Sequence, residues 1–587
     1  MIRMKPVEEL IGVDGLTIAF SGNQGSRVVV EQVSLTIPRG ETTALVGESG
    51  SGKTLLARSL VGLMPEGAAI THGTIRFKGR DITAGGMKAF QALRGRDISF
   101  VFQEPLSSLN PALKVGLQLT EGLRVHTGQS WDQCREEARR MLDRVCITDP
   151  AGVMGKYPHE LSGGMRQRVM IATALILKPA LLIADEPTTA LDMIVQEEVL
   201  LLMGEVAREL DAAVLLITHD LSAVASLADR VHVMNRGRIV EAGRVTDILS
   251  HAKDPYTRKL LAATPQPKAD DDKDAGQSKA APLLEVRDLS VAFPVKEAGF
   301  SLKRSSVTVL DTVSFNIAEG ETLAIIGESG SGKTTLSRAI AGLQSPSSGK
   351  VLFRGQSVEE LRKKSDRAMQ FVFQDPFGSL DPRMTIGDIV SEGLLFTSGL
   401  TADDRKAKAA KALQDVELDP AFMDRLPHQL SGGQRQRASI ARAIVMEPEF
   451  ILADEPVSAL DLTVQKQILD LLLALKQKIG FACLFVSHDL GVVEHFADRV
   501  GVLYRGQLVE IGSRANIFNR PHHPYTRQLL SATPRLALQD DSSYRLIRRT
   551  FADHQDNDKN GSGASEGAPG SRSYRQLAPD HFVVETI

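Results

Sequence analysis

The 587-residue chain holds three cysteines, one tryptophan and only 5% aromatic residues, and neither sign of charge dominates, with 69 Lys and Arg against 72 Asp and Glu. Each scarcity excludes something. Cys134, Cys146 and Cys483 have no Cys-x-x-Cys spacing and form no even-numbered set, which excludes a disulfide scaffold or zinc ribbon. Free, buried thiols in a reducing, cytosolic setting are expected. A formal net charge of −3 gives the whole molecule no bulk attraction for nucleic acid or acidic lipid. The longest apolar runs, Ala212–Ile217 and Phe481–Val486, fall far short of the roughly 18 residues of a membrane helix. Any membrane spans would belong to other chains. The first ten residues mix Arg3, Lys5, Glu8 and Glu9 with apolar side chains and lack the apolar core of a secretory signal.

What the chain does have, it has twice. Gly47-Glu48-Ser49-Gly50-Ser51-Gly52-Lys53-Thr54 returns as Gly327-Glu328-Ser329-Gly330-Ser331-Gly332-Lys333-Thr334, and further motifs follow each copy in one order. Ser162 and Ser431, Asp185 and Asp454, and His219 and His488 are each 269 residues apart, whereas Lys53 and Lys333 are 280 apart. The second copy has therefore lost residues between its glycine loop and Gln374, in what is expected to be a surface loop. The polar stretch Gln266–Pro282 reads as a linker, and the chain beyond Pro534 reads as largely disordered. The end, His581–Ile587, is expected to fray rather than to add an edge strand.

Short apolar runs precede the loops: Thr42–Val46, Leu181–Ala184 and Val214–Thr218 read as parallel strands buried on both faces. Between Gln103 and Ser162 the pattern is helical, and Ala138, Met141, Leu142 and Val145 make one apolar stripe. Each copy is thus an α/β core with a helical insertion.

The glycine loops point to triphosphate, which needs many donors and little bulk. Gly47, Gly50 and Gly52, and Gly327, Gly330 and Gly332, let successive N–H groups turn inward at the head of a helix. Lys53 and Lys333 reach the β- and γ-phosphates, and the Thr54 and Thr334 hydroxyls ligate Mg²⁺. Strands ending in Asp185-Glu186 and Asp454-Glu455 offer one carboxylate for the metal and a second to polarise the attacking water. Ser162-Gly163-Gly164 and Ser431-Gly432-Gly433 stand just before helices, where they can cap the helix and form a second anion nest. A lone histidine after a strand is more often structural. Recurring at one register beside the carboxylates, His219 and His488 read as γ-phosphate contacts.

The ordered set resembles the ATP-binding subunit of ABC transporters over about residues 7–534: glycine loop, Gln103 or Gln374, Leu-Ser-Gly-Gly signature, carboxylate pair, Ala-Leu-Asp192 or Ala-Leu-Asp461, then histidine. The resemblance implies two tandem P-loop domains, each with a parallel-sheet core, an antiparallel β edge and a helical subdomain, over residues 1–265 and 283–535. Residues 266–282 become an acidic linker and 536–587 a mostly disordered extension. It further implies ATP hydrolysis, with Gln103 and Gln374 joining the Mg²⁺ sites of Thr54, Asp185, Thr334 and Asp454. Each ATP is then held by one domain's loop and the other's signature, and Phe20 and Phe293 take the adenine-stacking position, for which core packing is the rival reading. The repeated tails Asp254-Pro-Tyr256-Thr-Arg258 and His523-Pro-Tyr525-Thr-Arg527 look like the oligopeptide and dipeptide importer branch, whose relatives also move nickel, glutathione and peptide antibiotics. That branch implies two separate permease subunits, a periplasmic or extracellular solute-binding protein, no nucleic acid, and a peripheral position on the cytoplasmic face of the inner membrane.

Three features depart from the branch or add to it. No cysteine cluster follows the tail, so no iron–sulfur centre is expected. Met165 stands where the other copy has Gln434, leaving open whether both sites turn over equally. His522-His523 suggests a metal, but the pair has no counterpart in the first copy, so a solvated turn is the favoured reading. The rival class is a soluble translation factor with two ATPase domains, which the short, Asp-rich linker disfavours because RNA phosphates call for Lys and Arg.

Overall fold

The computed structural model describes residues 8–22, 25–102, 108–188, 193–266, 282–295, 305–363, 368–458, 460–541, 543–551, 574–578 and 581–584. Gln103, Asp192 and most of the linker lie outside them. The chain forms two compact units, Met1–Thr264 with Pro534–Ile547, and Pro265–Thr533 with Arg548–Ile587.

The first unit is built on a six-stranded sheet. Its strands run in the order Arg238–Arg244, Arg230–Asn235, Thr42–Val46, Ala213–Ile217, Leu181–Asp185 and Ile98–Val101. Every neighbour pair is parallel except the first. Strand residues alternate between two cores, as the two-residue period requires. Leu182, Ala184, Val214 and Leu216 face a helical layer, where the stripe Ala138, Met141, Leu142 and Val145 is buried as the periodicity predicts. Leu45, Leu181, Ile183, Leu215 and Ile217 face helix Lys53–Ser59 and a four-stranded antiparallel sheet. Coverage on both faces explains why these strands are apolar throughout, and it leaves their C-terminal ends as the place for polar chemistry.

The second unit repeats this plan with an eight-stranded sheet, in the order 369–372, 450–454, 482–486, 322–326, 499–504, 507–513, 581–584 and 574–578. The lost residues partly shorten an antiparallel strand, Ala68–Phe77 in the first unit against Ser348–Phe353 in the second, rather than coming wholly from a loop.

Three expectations need correction. The end of the chain pairs instead of fraying, with Val583 opposite Glu510 and Phe582 opposite Ile511. The stretch read as mostly disordered holds, besides these strands, a hairpin of Arg535–Leu538 with Tyr544–Ile547. That hairpin lies against helices Leu221–Leu227 and Val245–His251 of the first unit. Apolar Leu536 and Ala537 are buried there, which a count of polar residues over the whole segment conceals. Cys134 and Cys483 are buried as expected, but Cys146 is exposed, at a left-handed residue ending a helix.

Candidate functional site

In both units the glycine loop links the central strand to a short helix, Lys53–Ser59 or Lys333–Ile340. Gly52 and Gly332 start these helices at φ +101° and +106°, in the left-handed region that L side chains rarely adopt. At Gly47 and Gly327 a Cβ would run into the Met234 or Leu503 carbonyl. The lysines turn back into the loop: Lys53 Nζ donates to the Gly47 and Glu48 carbonyls at 2.7 and 2.9 Å, and Lys333 Nζ to those of Gly327 and Glu328 at 2.7 and 2.8 Å. An ammonium held inside a ring of loop amides is a site for a polyanion.

The carboxylates arrive on the ends of the neighbouring strands. Asp185 and Asp454 are buried, and Glu186 and Glu455 follow with φ of +45° and +46°. Left-handed backbone at a non-glycine residue costs on the order of 1 kcal/mol and recurs at functional sites. Here it is held in each copy by the glutamate N–H, which donates to the Ile217 or Val486 carbonyl at 2.9 Å. Beside each glutamate lies the predicted histidine. His219 Nδ1 is 3.3 Å from Glu186 Oε1, and His488 Nδ1 is 3.1 Å from Glu455 Oε2. The next residues, Asp220 and Asp489, cap the helices that follow. In the second unit Gln374 Nε2 also donates to Glu455 Oε2 at 2.8 Å, so three residues singled out from sequence meet at one oxygen.

Electrostatics distinguish the carboxylates. Burial, and then the neighbouring Glu455 charge, pushes Asp454 up to about 6. Burial likewise raises Asp185, against the pull of its bond from Thr54. Burial opposes ionisation of Glu455 too, but the His488 hydrogen bond and charge, with the Lys333 charge and the Ser458 hydrogen bond, together outweigh it and hold Glu455 below its usual range. Both histidines lie above their ordinary value, chiefly through the bond to the adjacent glutamate. Each unit thus pairs a reluctant aspartate with a glutamate beside a basic imidazole.

These residues fit Mg²⁺. Thr54 Oγ1 donates to Asp185 Oδ1 at 3.1 Å, placing a hydroxyl and a carboxylate oxygen at one point. In the second unit Asp454 Oδ1 is buried without a hydrogen-bond partner, an orphaned acceptor that a hard cation or its water shell would satisfy. The donor set is oxygen only, as Mg²⁺ prefers.

The signature serines act as the caps their sequence suggests, heading helices Gly163–Leu175 and Gly432–Ile444. Gly164 and Gly433 are needed for packing, since a Cβ there would press on Val195 or Val464. The Met165 difference has a physical meaning. In the second copy Gln434 Oε1 accepts from the Ser431 N–H at 2.9 Å and completes a reciprocal capping box. Met165 has no acceptor to return, so only the Ser162 hydroxyl half remains. Phe20 packs partly buried against the antiparallel-sheet core, while Phe293 is 39% exposed.

Sequence reasoning missed Tyr256 and Tyr525. Each hydroxyl accepts from the N–H of the loop glutamate, Glu48 or Glu328, at 3.0 Å. The family tail thereby reaches back more than 190 residues in sequence to brace the phosphate loop. The signal was visible, since both tyrosines sit 269 apart inside a repeated Pro-Tyr-Thr-Arg, but the repeat assigns no contact.

Comparison with known proteins agrees with this geometry. The ABC transporter family matches residues 30–189 and 310–458, and the oligopeptide/dipeptide transporter C-terminal region matches 240–289 and 509–561. Among curated relatives, the glutathione import ATP-binding protein GsiA of Pectobacterium atrosepticum is 42% identical over 564 residues, 90% of either chain. Its namesake in Salmonella typhimurium is 42% identical over 613 residues, covering 99% of this chain and 97% of its own. With two complete sets of loop, carboxylates and histidine on two α/β units, the chain belongs to the ABC transporter family as an ATP-hydrolysing import subunit with both nucleotide-binding cassettes in one polypeptide.

Proposed function

We propose that this ATPase energises uptake of short peptides, glutathione among them, through two separate permease subunits fed by an external solute-binding protein. The observation that carries this reading is the doubled oligopeptide/dipeptide C-terminal region, supported by the glutathione import that the relatives are named for. With no helix long and apolar enough to span a membrane among the described residues, attachment through permeases on the cytoplasmic face of the inner membrane is the arrangement we infer.

In the proposed cycle Lys53 and Lys333 neutralise the β- and γ-phosphates, while Thr54 with Asp185, and Thr334 with Asp454, hold Mg²⁺; Gln103 and Gln374 border those sites. Mg²⁺ supplies charge stabilisation on the transferring phosphoryl group. Glu186 and Glu455 orient and polarise the attacking water, and His219 and His488 hold those carboxylates and contact the γ-phosphate. Ser162, Gly163 and Gly164, and Ser431, Gly432 and Gly433, are proposed as further ATP-binding residues by the family resemblance. Adenine stacking is proposed for Phe20 and Phe293, with the exposed Phe293 the better placed. The test is uptake of labelled glutathione, dipeptides and oligopeptides in a strain deleted for this gene. Restoration by the wild-type chain but not by Glu186→Gln/Glu455→Gln supports the proposal, and recovery of the protein with ribosomes instead of membranes would overturn it.

A further inference from the structure

One cluster of titratable side chains in the second unit is untouched by nucleotide chemistry. Glu510, on strand Gln507–Ser513, is fully buried, and its carboxylate accepts from the backbone N–H of His522 at 2.8 Å and of His523 at 3.0 Å. His581, at the head of the last strand and 2% exposed, brings its Nε2 within 2.8 Å of Glu510 Oε1. The rings of His522 and His581 meet edge-on, with centroids 5.1 Å apart. One ligand atom from each of Glu510, His522 and His581 lies within 4.8 Å of the other two.

Comparison with the first unit separates two roles. There Glu241, 269 residues earlier, accepts from the backbone N–H of Lys253 and Asp254 at 2.8 and 3.1 Å. Bracing the turn before the Pro-Tyr-Thr helix is therefore the common duty of this glutamate and needs no histidine. The imidazoles are the second unit's addition. His522 is also set up as a ligand: its Nδ1 lies 2.9 Å from the Arg520 carbonyl, a group that can only accept. Nδ1 therefore carries the proton, which leaves the lone pair on Nε2. A backbone carbonyl fixing the tautomer in this way is the usual outer partner of a metal-bound histidine.

We propose that Glu510, His522 and His581 form a site for a divalent transition-metal ion of the zinc class, fastening the strands Tyr574–Ala578 and His581–Val584 to the sheet. Two imidazoles and a carboxylate, with water as the fourth ligand, match tetrahedral Zn²⁺ and disfavour Mg²⁺ and Ca²⁺, which select oxygen. Small movements of the exposed His522 close the triangle, and the ion takes the place of the hydrogen between His581 and Glu510. The plain alternative is that His581 only hydrogen-bonds Glu510. His522 tells the two apart, because its imidazole contributes nothing to that bond.

The experiment is a Co²⁺ titration of the full-length, tag-free chain without nucleotide, reading the intense visible absorption of tetrahedral cobalt and its displacement by Zn²⁺. One tetrahedral Co²⁺ per chain is expected. His522→Ala, which leaves the buried pair intact, should weaken binding at least about tenfold, as should His581→Ala, since even an outer-shell partner is worth that much. His523→Ala should bind like the wild type, because His523 Nδ1 accepts from the Tyr525 N–H and faces its own helix. Absence of a tetrahedral signal in the wild type, unchanged affinity in His522→Ala, or an equal loss in His523→Ala would each overturn the site.

Discussion

The two cassettes carry one set of chemical groups in two different arrangements. In the first, the Thr54 hydroxyl is bonded to Asp185, and the signature serine has half a capping box. In the second, Asp454 has a buried oxygen without a partner, and the capping box is complete. The strand ends, the lysine inside the loop, the left-handed glutamate and the tyrosine brace are the same in both. What varies is how the aspartate at the strand end is held and how firmly the signature helix begins. Both cassettes keep the parts that ATP hydrolysis needs, and they differ in how the aspartate at the strand end is held.

The largest effect should come from the shared part. Glu186→Gln with Glu455→Gln leaves ATP binding in place and lowers steady-state hydrolysis by at least about 10²- to 10⁴-fold, the range for a positioned general base. Phosphate release and equilibrium nucleotide binding measured on one preparation check this, and undiminished turnover would remove both residues from the mechanism. A smaller and symmetrical effect is expected at the brace. Tyr256→Phe and Tyr525→Phe each leave a loop N–H without its acceptor, at about 1 kcal/mol or roughly fivefold in ATP affinity. Titrations in Lys333→Ala and Lys53→Ala backgrounds isolate each cassette, and a brace effect in only one of them would break the claimed equivalence. The smallest effect concerns the caps. Met165→Gln should stabilise and Gln434→Met destabilise by about 0.5–1 kcal/mol, the value of one hydrogen bond at a helix start. Thermal unfolding of the two variants should shift in opposite directions.

Much of the site was legible because its parts are local. A glycine loop, a strand ending in Asp-Glu and a Ser-Gly-Gly helix start are each dictated by a few adjacent residues, and Lys53, Asp185, Glu186 and His219 lie where those patterns place them. The parallel strands were legible for the same reason, being apolar on both faces. The missed parts join distant segments. Tyr256 meets Glu48, and His581 meets Glu510, through tertiary packing that no window of sequence contains. The C-terminal strands were lost in a polar composition, since an edge strand needs only a few apolar residues such as Phe582, on one face. Gln103 lies outside the described residues, so its expected place at the Mg²⁺ site of the first cassette rests on the resemblance.

The difference between the cassettes has a sign in pH. Asp454 titrates above the ordinary aspartate value of 3.8, at about 6. In the nucleotide-free protein its contribution to stability is therefore complete below that ordinary value and is lost as pH rises through about 6. Protons and Mg²⁺ compete for the same oxygen, so the second cassette should need more Mg²⁺ as pH falls through that point. Burial also raises Asp185, but its bond from Thr54 works the other way, a bond for which Asp454 shows no equivalent. The decisive measurement is Mg²⁺-dependent ATP binding across pH in Lys53→Ala and Lys333→Ala proteins, each keeping one intact loop. The account predicts that the Lys53→Ala protein, which relies on Asp454, loses Mg²⁺ affinity at the higher pH; coincident profiles would contradict it.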